Sequence, residues 1–132
     1  MTRVLPDTNA YIALLAGDNA VLEAIASADT VYMSVFVLGE LYAGFLGGRK
    51  NRENRRILAS FLSKATVRIL HGTPDTAETF GIVKARLRQA GTPIPINDVW
   101  IAAHAMETGA QVITYDSHFK KVAGLLLWDK AL

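Results

Sequence analysis

The chain has 132 residues, of which 51% are hydrophobic and 20% charged, with no cysteine and a small net charge of +2. This composition excludes intrinsic disorder, low-complexity arrays, disulfides and thiolate metal sites. A chain of this length is expected to form one domain, residues 1–132. It has no signal-length apolar segment after Met1 and no charge-free window of about 20 apolar residues, so we predict a cytoplasmic protein outside the membrane.

In the first half of the chain, short apolar runs alternate with helical patterns. The predicted elements are a strand at 3–6, a helix at 9–16 capped by Thr8, a short helix capped by Asp18, a strand at 30–33, a helix at 35–46 capped by Ser34, and a helix at 51–64. The helix at 35–46 is apolar on nearly all sides, so we expect it to be buried. In the helix at 51–64, Ile57, Leu58, Phe61 and Leu62 are expected to face inward.

The second half of the chain continues the alternation. The predicted elements are a strand at 67–70, a long helix from Thr73-Pro74 to Gly91, an extended loop at 93–95, a helix from Asn97 as cap to Thr108, a strand at 111–115 and a last strand at 125–128. Short apolar strands that alternate with helices are typical of a parallel sheet covered on both faces. We therefore predict an α/β fold, a three-layer α/β/α sandwich, with its ligand site at the carboxyl ends of the strands.

Four of the twelve acidic residues occupy unusual positions. Asp7 follows the first predicted strand, Asp116 follows the strand at 111–115, and Asp98 lies in the first turn of an otherwise apolar helix. Glu40 is the only charge in the helix at 35–46. Each aspartate alone is also compatible with a turn or cap role, and Glu40 with partial exposure or an arginine partner.

The predicted topology brings these four carboxylates to one edge of the sheet. At about 4 Å and an effective dielectric constant of about 20, each like-charged pair costs about 4 kcal/mol. No Lys or Arg is adjacent in sequence to any of the four, so a divalent cation is the expected counterion. Oxygen-only ligands favour Mg²⁺ or Mn²⁺, as one or two ions, and such sites perform metal-assisted phosphoryl chemistry.

A basic run lies between these acidic positions. Arg49, Lys50, Arg52, Arg55 and Arg56 fall within eight residues, opposed only by Glu53. Such a run is either a solvated helix face or a patch that binds a polyanion, and composition alone does not decide. Together with the acidic quartet, the patch favours a nuclease, with the arginines holding the flanking nucleic-acid backbone.

The order of these motifs resembles the PIN domain, and within it the VapC-type toxins of toxin–antitoxin pairs. The resemblance covers nearly the whole chain. It is carried by Asp7-Thr8-Asn9, by Ser34 followed by Gly39-Glu40-Leu41, by Asn97-Asp98 followed by Ile101-Ala102-Ala103, and by Thr114-Tyr115-Asp116 followed by Phe119.

The resemblance implies a Mg²⁺- or Mn²⁺-dependent endoribonuclease. Asp7, Glu40, Asp98 and Asp116 would be its catalytic and metal-binding acids. Thr8 and Thr114 match polar positions beside the metals, and Arg49, Arg52, Arg55 and Arg56 are candidates for RNA or partner contacts. The resemblance also implies a homodimer, silenced by a small antitoxin that covers the active-site groove and the helices of residues 35–62.

Two other functions stay open at this stage. A non-enzymatic RNA-binding module would use the basic run alone, and an aspartyl-phosphate receiver or phosphatase would need a lysine close to an aspartate. The three histidines lack metal-ligand spacing, so His104 is assigned to packing or the surface, and contact with RNA is left open for His118.

Overall fold

A computed structural model describes residues 1–131, in which a parallel β-sheet is connected by helices. Its elements are β1 (Arg3–Pro6), α1 (Thr8–Leu15), α2 (Asn19–Ala26), β2 (Thr30–Ser34), α3 (Val35–Leu46), α4 (Asn51–Leu62), β3 (Val67–Leu70), α5 (Pro74–Gln89), α6 (Ile96–Thr108) and β4 (Gln111–Ile113), followed by 3-10 turns at Ser117–Lys121 and Asp129–Ala131.

The four strands are parallel and lie in the order β3-β2-β1-β4. The chain crosses the sheet in one direction from β1 to β3, and then returns to place β4 beside β1. This reversal opens a crevice at the carboxyl ends of β1 and β4, which is where α/β sheets bind ligands. The amide of Asp7 donates to the carbonyl of Ile113 at 3.1 Å, which joins the two strand ends beneath that crevice.

The sheet is covered on both faces. Because crossovers between parallel strands are right-handed as a rule, the strand order assigns α1–α4 to one face of the sheet and α5 and α6 to the other. Val4, Leu5, Val31, Val112 and Ile113 are at most 2% exposed, because strand residues pack against helices whichever way they point. The predicted α/β/α sandwich is thereby confirmed.

The helices bury single faces rather than their whole surface. In α3 the buried residues are Val37, Leu38, Leu41 and Phe45, whereas Leu46 is 69% exposed, so the expectation of burial on nearly all sides was wrong. In α4, Leu58 and Phe61 are buried and Ile57 is exposed, contrary to the inward position expected for Ile57. None of the helices described is long and apolar enough to cross a bilayer.

Two predicted helix caps were wrong. Helix α1 is capped by Asp7, whose carboxylate accepts from the amide of Ala10 at 2.8 Å, and Thr8 is the first helical residue. Helix α6 starts at Ile96, because the carbonyl of Pro95 accepts from the amides of Asp98 and Val99. The helical hydrogen bonds therefore begin two residues earlier than they would with an Asn97 cap.

The C-terminal strands are shorter than predicted. Strand β4 ends at Ile113 instead of residue 115, because the amide of Asp116 turns back to the Thr114 hydroxyl at 2.8 Å. The strand expected at 125–128 is a single parallel bridge between Val112 and Leu127. Strand β4 has only three residues, so this segment cannot form a longer set of paired residues with it.

Candidate active site

A cavity of about 310 Å³ opens above the crevice between β1 and β4. All four acids singled out in the sequence line it, although they come from four different parts of the chain. The remaining lining includes His118 and the loop that precedes α6. The lining residues are Asp7, Thr8, Asn9, Glu40, Pro95, Ile96, Asn97, Asp98, Asp116 and His118.

Asp7 lies at the bottom of the cavity and is only 5% exposed. One carboxylate oxygen caps α1, and the other accepts from the Thr114 hydroxyl at 2.5 Å. The same hydroxyl accepts from the amide of Asp116, so one threonine holds both the aspartate that follows β1 and the turn that follows β4. Thr114 therefore connects the Asp7 carboxylate to the backbone of Asp116.

Glu40 reaches the cavity from the second turn of α3. The hydroxyl of Thr8 donates to its Oε1 at 2.7 Å, which fixes the carboxylate against the first turn of α1. Helix α3 begins immediately after β2, at the same sheet edge as Asp7, because Ser34 caps it by accepting from the amide of Phe36. The arginine partner considered for Glu40 is not found among the described residues.

Asp98, Asp116 and His118 form the tightest group in the cavity. His118 Nδ1 lies 3.3 Å from Asp98 Oδ2 and 3.0 Å from Asp116 Oδ1. One donor atom from each of these residues lies within 4.8 Å of the other two. Asp98 is in the first turn of α6, and Asp116 caps the 3-10 turn that carries His118. Asp7 and Glu40 lie in the same cavity but outside this group.

Burial disfavours the ionised form of two carboxylates in the cavity, those of Asp7 and Asp98. Burial raises the pKa of Asp7 to about 6, although hydrogen bonds from Thr114 and Ala10 act to lower it. Burial also raises the pKa of Asp98, against a hydrogen bond from His118. The neighbouring Asp116 adds to both shifts. Within the described part of the chain, His118 is the one basic side chain within 4 Å of these carboxylates.

His118 was not predicted as a member of the site. The sequence Asp116-Ser117-His118 could have indicated it, because an aspartate often accepts a hydrogen bond from the amide two residues later. Here the Asp116 carboxylate accepts from the amide of His118 at 2.9 Å, and this tight turn places the histidine beside the aspartate. His104, in contrast, is 2% exposed and bonds through Nδ1 to the Ser34 hydroxyl at 2.9 Å, in agreement with a packing role.

The basic run does not join the cavity. Arg49, Lys50, Arg52 and Arg56 line a separate shallow depression on α4 and the turn before it. The guanidinium of Arg55 lies 4.6 Å from the centre of the Tyr42 ring, which is a cation–π contact. None of these side chains lines the acidic cavity.

The donor set fits a divalent cation. Carboxylate oxygens from several elements converge on one space, two of them are shifted toward protonation by burial, and no Lys or Arg among residues 1–131 neutralises them. Buried carboxylates that lack a compensating cation are unfavourable, and hard cations with oxygen ligands relieve this. Asp98 and Asp116 are the central ligand candidates, and Asp7 and Glu40 line the same cavity.

The fold and the site together indicate the family. The sheet has four parallel strands, and carboxylates line the crevice where the strand order reverses. The model of the PIN domain family matches residues 4–125. The chain therefore belongs to the PIN-domain family.

Comparison with individual proteins identifies the VapC group within the PIN-domain family. The chain is 33% identical over 112 residues to Ribonuclease VapC2 of Rickettsia felis, covering 83% of this chain and 82% of that protein. It is 31% identical over 118 residues to Ribonuclease VapC5 of Mycobacterium tuberculosis, covering 89% and 86%. At this identity and coverage the chain belongs to the VapC family.

Solved structures of toxin–antitoxin complexes share the fold. The crystal structure of VapBC2 from Rickettsia felis, bound to a DNA fragment from its promoter, superposes with a TM-score of 0.83 at 27% identity, covering 96% of this chain and 98% of that one. VapBC-1 from nontypeable Haemophilus influenzae superposes with a TM-score of 0.85 at 25% identity, covering 96% and 97%.

Proposed function

We propose that this protein is a metal-dependent endoribonuclease that acts as the toxin of a toxin–antitoxin pair. The observation that supports this most directly is the convergence of Asp7, Glu40, Asp98 and Asp116 on one cavity at the switch point of the sheet. The family membership agrees with it, since the VapC relatives are named ribonucleases.

In this proposal the four acids divide the work of the site. Asp98 and Asp116 hold a divalent cation, Mg²⁺ or Mn²⁺, and Asp7 and Glu40 complete the anionic lining for one or two ions. Such a cation supplies charge neutralisation at the scissile phosphate and lowers the pKa of a water for in-line attack. Thr8 orients Glu40 and Thr114 orients Asp7, through the 2.7 Å and 2.5 Å hydrogen bonds described above.

The RNA strand is expected to extend from the cavity across basic surface. Arg49, Arg52, Arg55 and Arg56 are exposed and are proposed to contact phosphates of the RNA or an acidic segment of the partner. Phosphate contacts of this kind weaken steeply as salt rises. A cytoplasmic location and a homodimer also stay predictions, and the molar mass in solution tests the dimer.

The partner is proposed to be a small antitoxin that binds one to one and covers the active-site groove. Its docking surface would continue onto a groove of about 470 Å³ between α1 and α4. The walls of this groove are largely apolar, with Leu14, Leu15, Ile57 and Phe61 among them, and Arg56 and Lys64 supply its positive charge. An amphipathic segment with acidic flanks fits such a surface.

Substituting Asp98→Asn tests the proposal, because it keeps the shape of the side chain and removes its charge. Cleavage of total RNA in the presence of Mg²⁺ or Mn²⁺ should fall below about 1% of wild type, since loss of a direct ligand exceeds the 10–100-fold effect typical of outer-shell partners. The exposed Asp75, in the first turn of α5, provides the control Asp75→Asn, which should cleave as wild type.

The alternatives predict other outcomes. A non-enzymatic RNA-binding module would bind RNA without releasing product with either metal, and it gives no role to the buried carboxylates. A phosphotransfer domain would be labelled by a small phosphodonor, and it needs a lysine that the described lining of the cavity does not contain. Undiminished cleavage by the Asp98→Asn protein would reject the assignment of the site.

A further inference from the structure

His118 carries a ring nitrogen directed at the two carboxylates of the central group. Its Nδ1 faces Asp98 Oδ2 and Asp116 Oδ1 at 3.3 Å and 3.0 Å, while 38% of the side chain stays open to solvent. Asp98 and Asp116 are less exposed, at 17% and 29%. The nitrogen therefore faces the inner, carboxylate side of the cavity.

The two separations from His118 Nδ1 are those of adjacent ligands around one cation, and the three donor atoms lie within 4.8 Å of one another. Adjacent ligands of an octahedral ion bound at about 2.1 Å lie about 3 Å apart, close to both measured separations. The backbone keeps the histidine in place, because its own amide donates to Asp116 Oδ1 at 2.9 Å. Little rearrangement separates this arrangement from a coordinated one.

We propose that His118 Nδ1 is a metal ligand, together with Asp98 and Asp116, and that the centre is a mixed carboxylate–imidazole site. This rests on the proposed function, which supplies the cation. Imidazole nitrogen suits first-row transition metals, whereas Mg²⁺ takes oxygen ligands almost exclusively. The site is therefore selective for a divalent transition metal over Mg²⁺.

A simpler role for His118 predicts a different result. As a protonated counterion, the imidazole would pair with the carboxylates only while no metal is bound, and a cation would displace it. No nitrogen would then be bonded to the metal. The two roles differ in whether a metal–nitrogen bond exists.

Mn²⁺ is the probe that separates them, because its unpaired electrons report directly bound nuclei. Pulsed electron paramagnetic resonance of the wild-type protein with Mn²⁺ should show modulation from a bound ¹⁴N nucleus. Labelling the histidines with ¹⁵N should change that modulation to the ¹⁵N pattern, without any substitution. His118→Ala should abolish it, and His71→Ala, which alters an exposed histidine outside the cavity, should leave it unchanged.

Affinity provides the second measurement. By calorimetry, His118→Ala should weaken Mn²⁺ binding about tenfold or more, and Mg²⁺ binding by much less. A wild-type protein that binds Mn²⁺ without nitrogen modulation, or one that does not bind Mn²⁺, would overturn the inference. If that protein still cleaves RNA with Mg²⁺, the proposed function stands and only the histidine ligand is lost. If it neither binds a divalent cation nor cleaves, the proposed function itself fails.

Discussion

Two opposing effects act on the ionisation of Asp7: its hydrogen bonds favour the charged carboxylate, and its burial disfavours it. As the cap of α1 and the acceptor for Thr114, it is part of the folded framework, yet burial raises its pKa to about 6. In the unfolded chain the same group has a pKa near 3.8. Between these two values the folded protein holds a proton that the unfolded chain has lost, so the contribution of Asp7 to stability falls as pH rises through about 6.

Asp7→Asn should therefore stabilise the metal-free protein selectively at higher pH. Relative to wild type, its free energy of unfolding should rise by about 2 kcal/mol between pH 4 and pH 7.5, because the amide cannot ionise. Urea denaturation with a chelator present measures this difference. Asp75→Asn controls for removal of a surface carboxylate, and an equal shift in that variant would contradict the explanation by burial.

At the scale of elements, a buried polar contact joins α6 to the start of α3. Ser34 caps α3 by accepting from the amide of Phe36, and its hydroxyl also bonds His104 of α6. Burial lowers the pKa of His104, which keeps the ring neutral in this contact. Because Asp98 lies on α6 and Glu40 on α3, this contact holds together two helices that contribute acids to the cavity.

Ser34→Ala removes the cap and leaves His104 Nδ1 without its partner. We expect a loss of about 2 kcal/mol in the free energy of unfolding, the sum of a missing cap and a buried unpaired nitrogen. Thermal denaturation measures it. Ser60→Ala alters an exposed serine in the last turn of α4 and should change stability by less than about 0.5 kcal/mol. Equal effects of the two substitutions would argue against the contact.

The order of elements was predictable, but several of their ends were not. Apolar runs and glycine stops locate the strands and helices, and parallel pairing then brings Asp7 and Asp116 to one edge. The choice between Asp7 and Thr8 as cap was not predictable, since both residue types cap helices and only the Thr8–Glu40 contact assigns Thr8 elsewhere. The position of His118 in the cavity depends on the tight turn from Asp116 to His118, which the hydrophobic periodicity of the sequence does not predict.

At the scale of the whole molecule, helices α1, α3 and α4 leave large apolar side chains exposed to solvent. Leu15, Leu46 and Ile57, on α1, α3 and α4, are 44%, 69% and 37% exposed. Two of them line the groove between α1 and α4, where the buried hydroxyl of Tyr11 has no hydrogen-bond partner. This surface is suited to a partner that brings apolar anchors and a hydrogen-bond acceptor.

Ile57→Glu should therefore weaken inhibition by the antitoxin while leaving RNA cleavage intact. We expect at least about tenfold more of the proposed antitoxin to be needed for half-inhibition, since a charge would be buried against an apolar anchor. Titration of cleavage activity measures this. Ile82→Glu, on α5 and 46% exposed, is the matched control. Equal inhibition of the Ile57→Glu and wild-type proteins would place the docking surface elsewhere.

The pairing of β4 with β1 has a consequence for synthesis on the ribosome. Strands β1 and β4 are neighbours in the sheet. The Asp7 carboxylate therefore accepts a hydrogen bond from Thr114, a residue that is synthesised 107 positions later. During synthesis, a nascent chain that ends before Thr114 lacks Thr114, Asp116 and His118, so the acidic cavity is incomplete. We expect such a chain to show no metal-dependent cleavage of RNA.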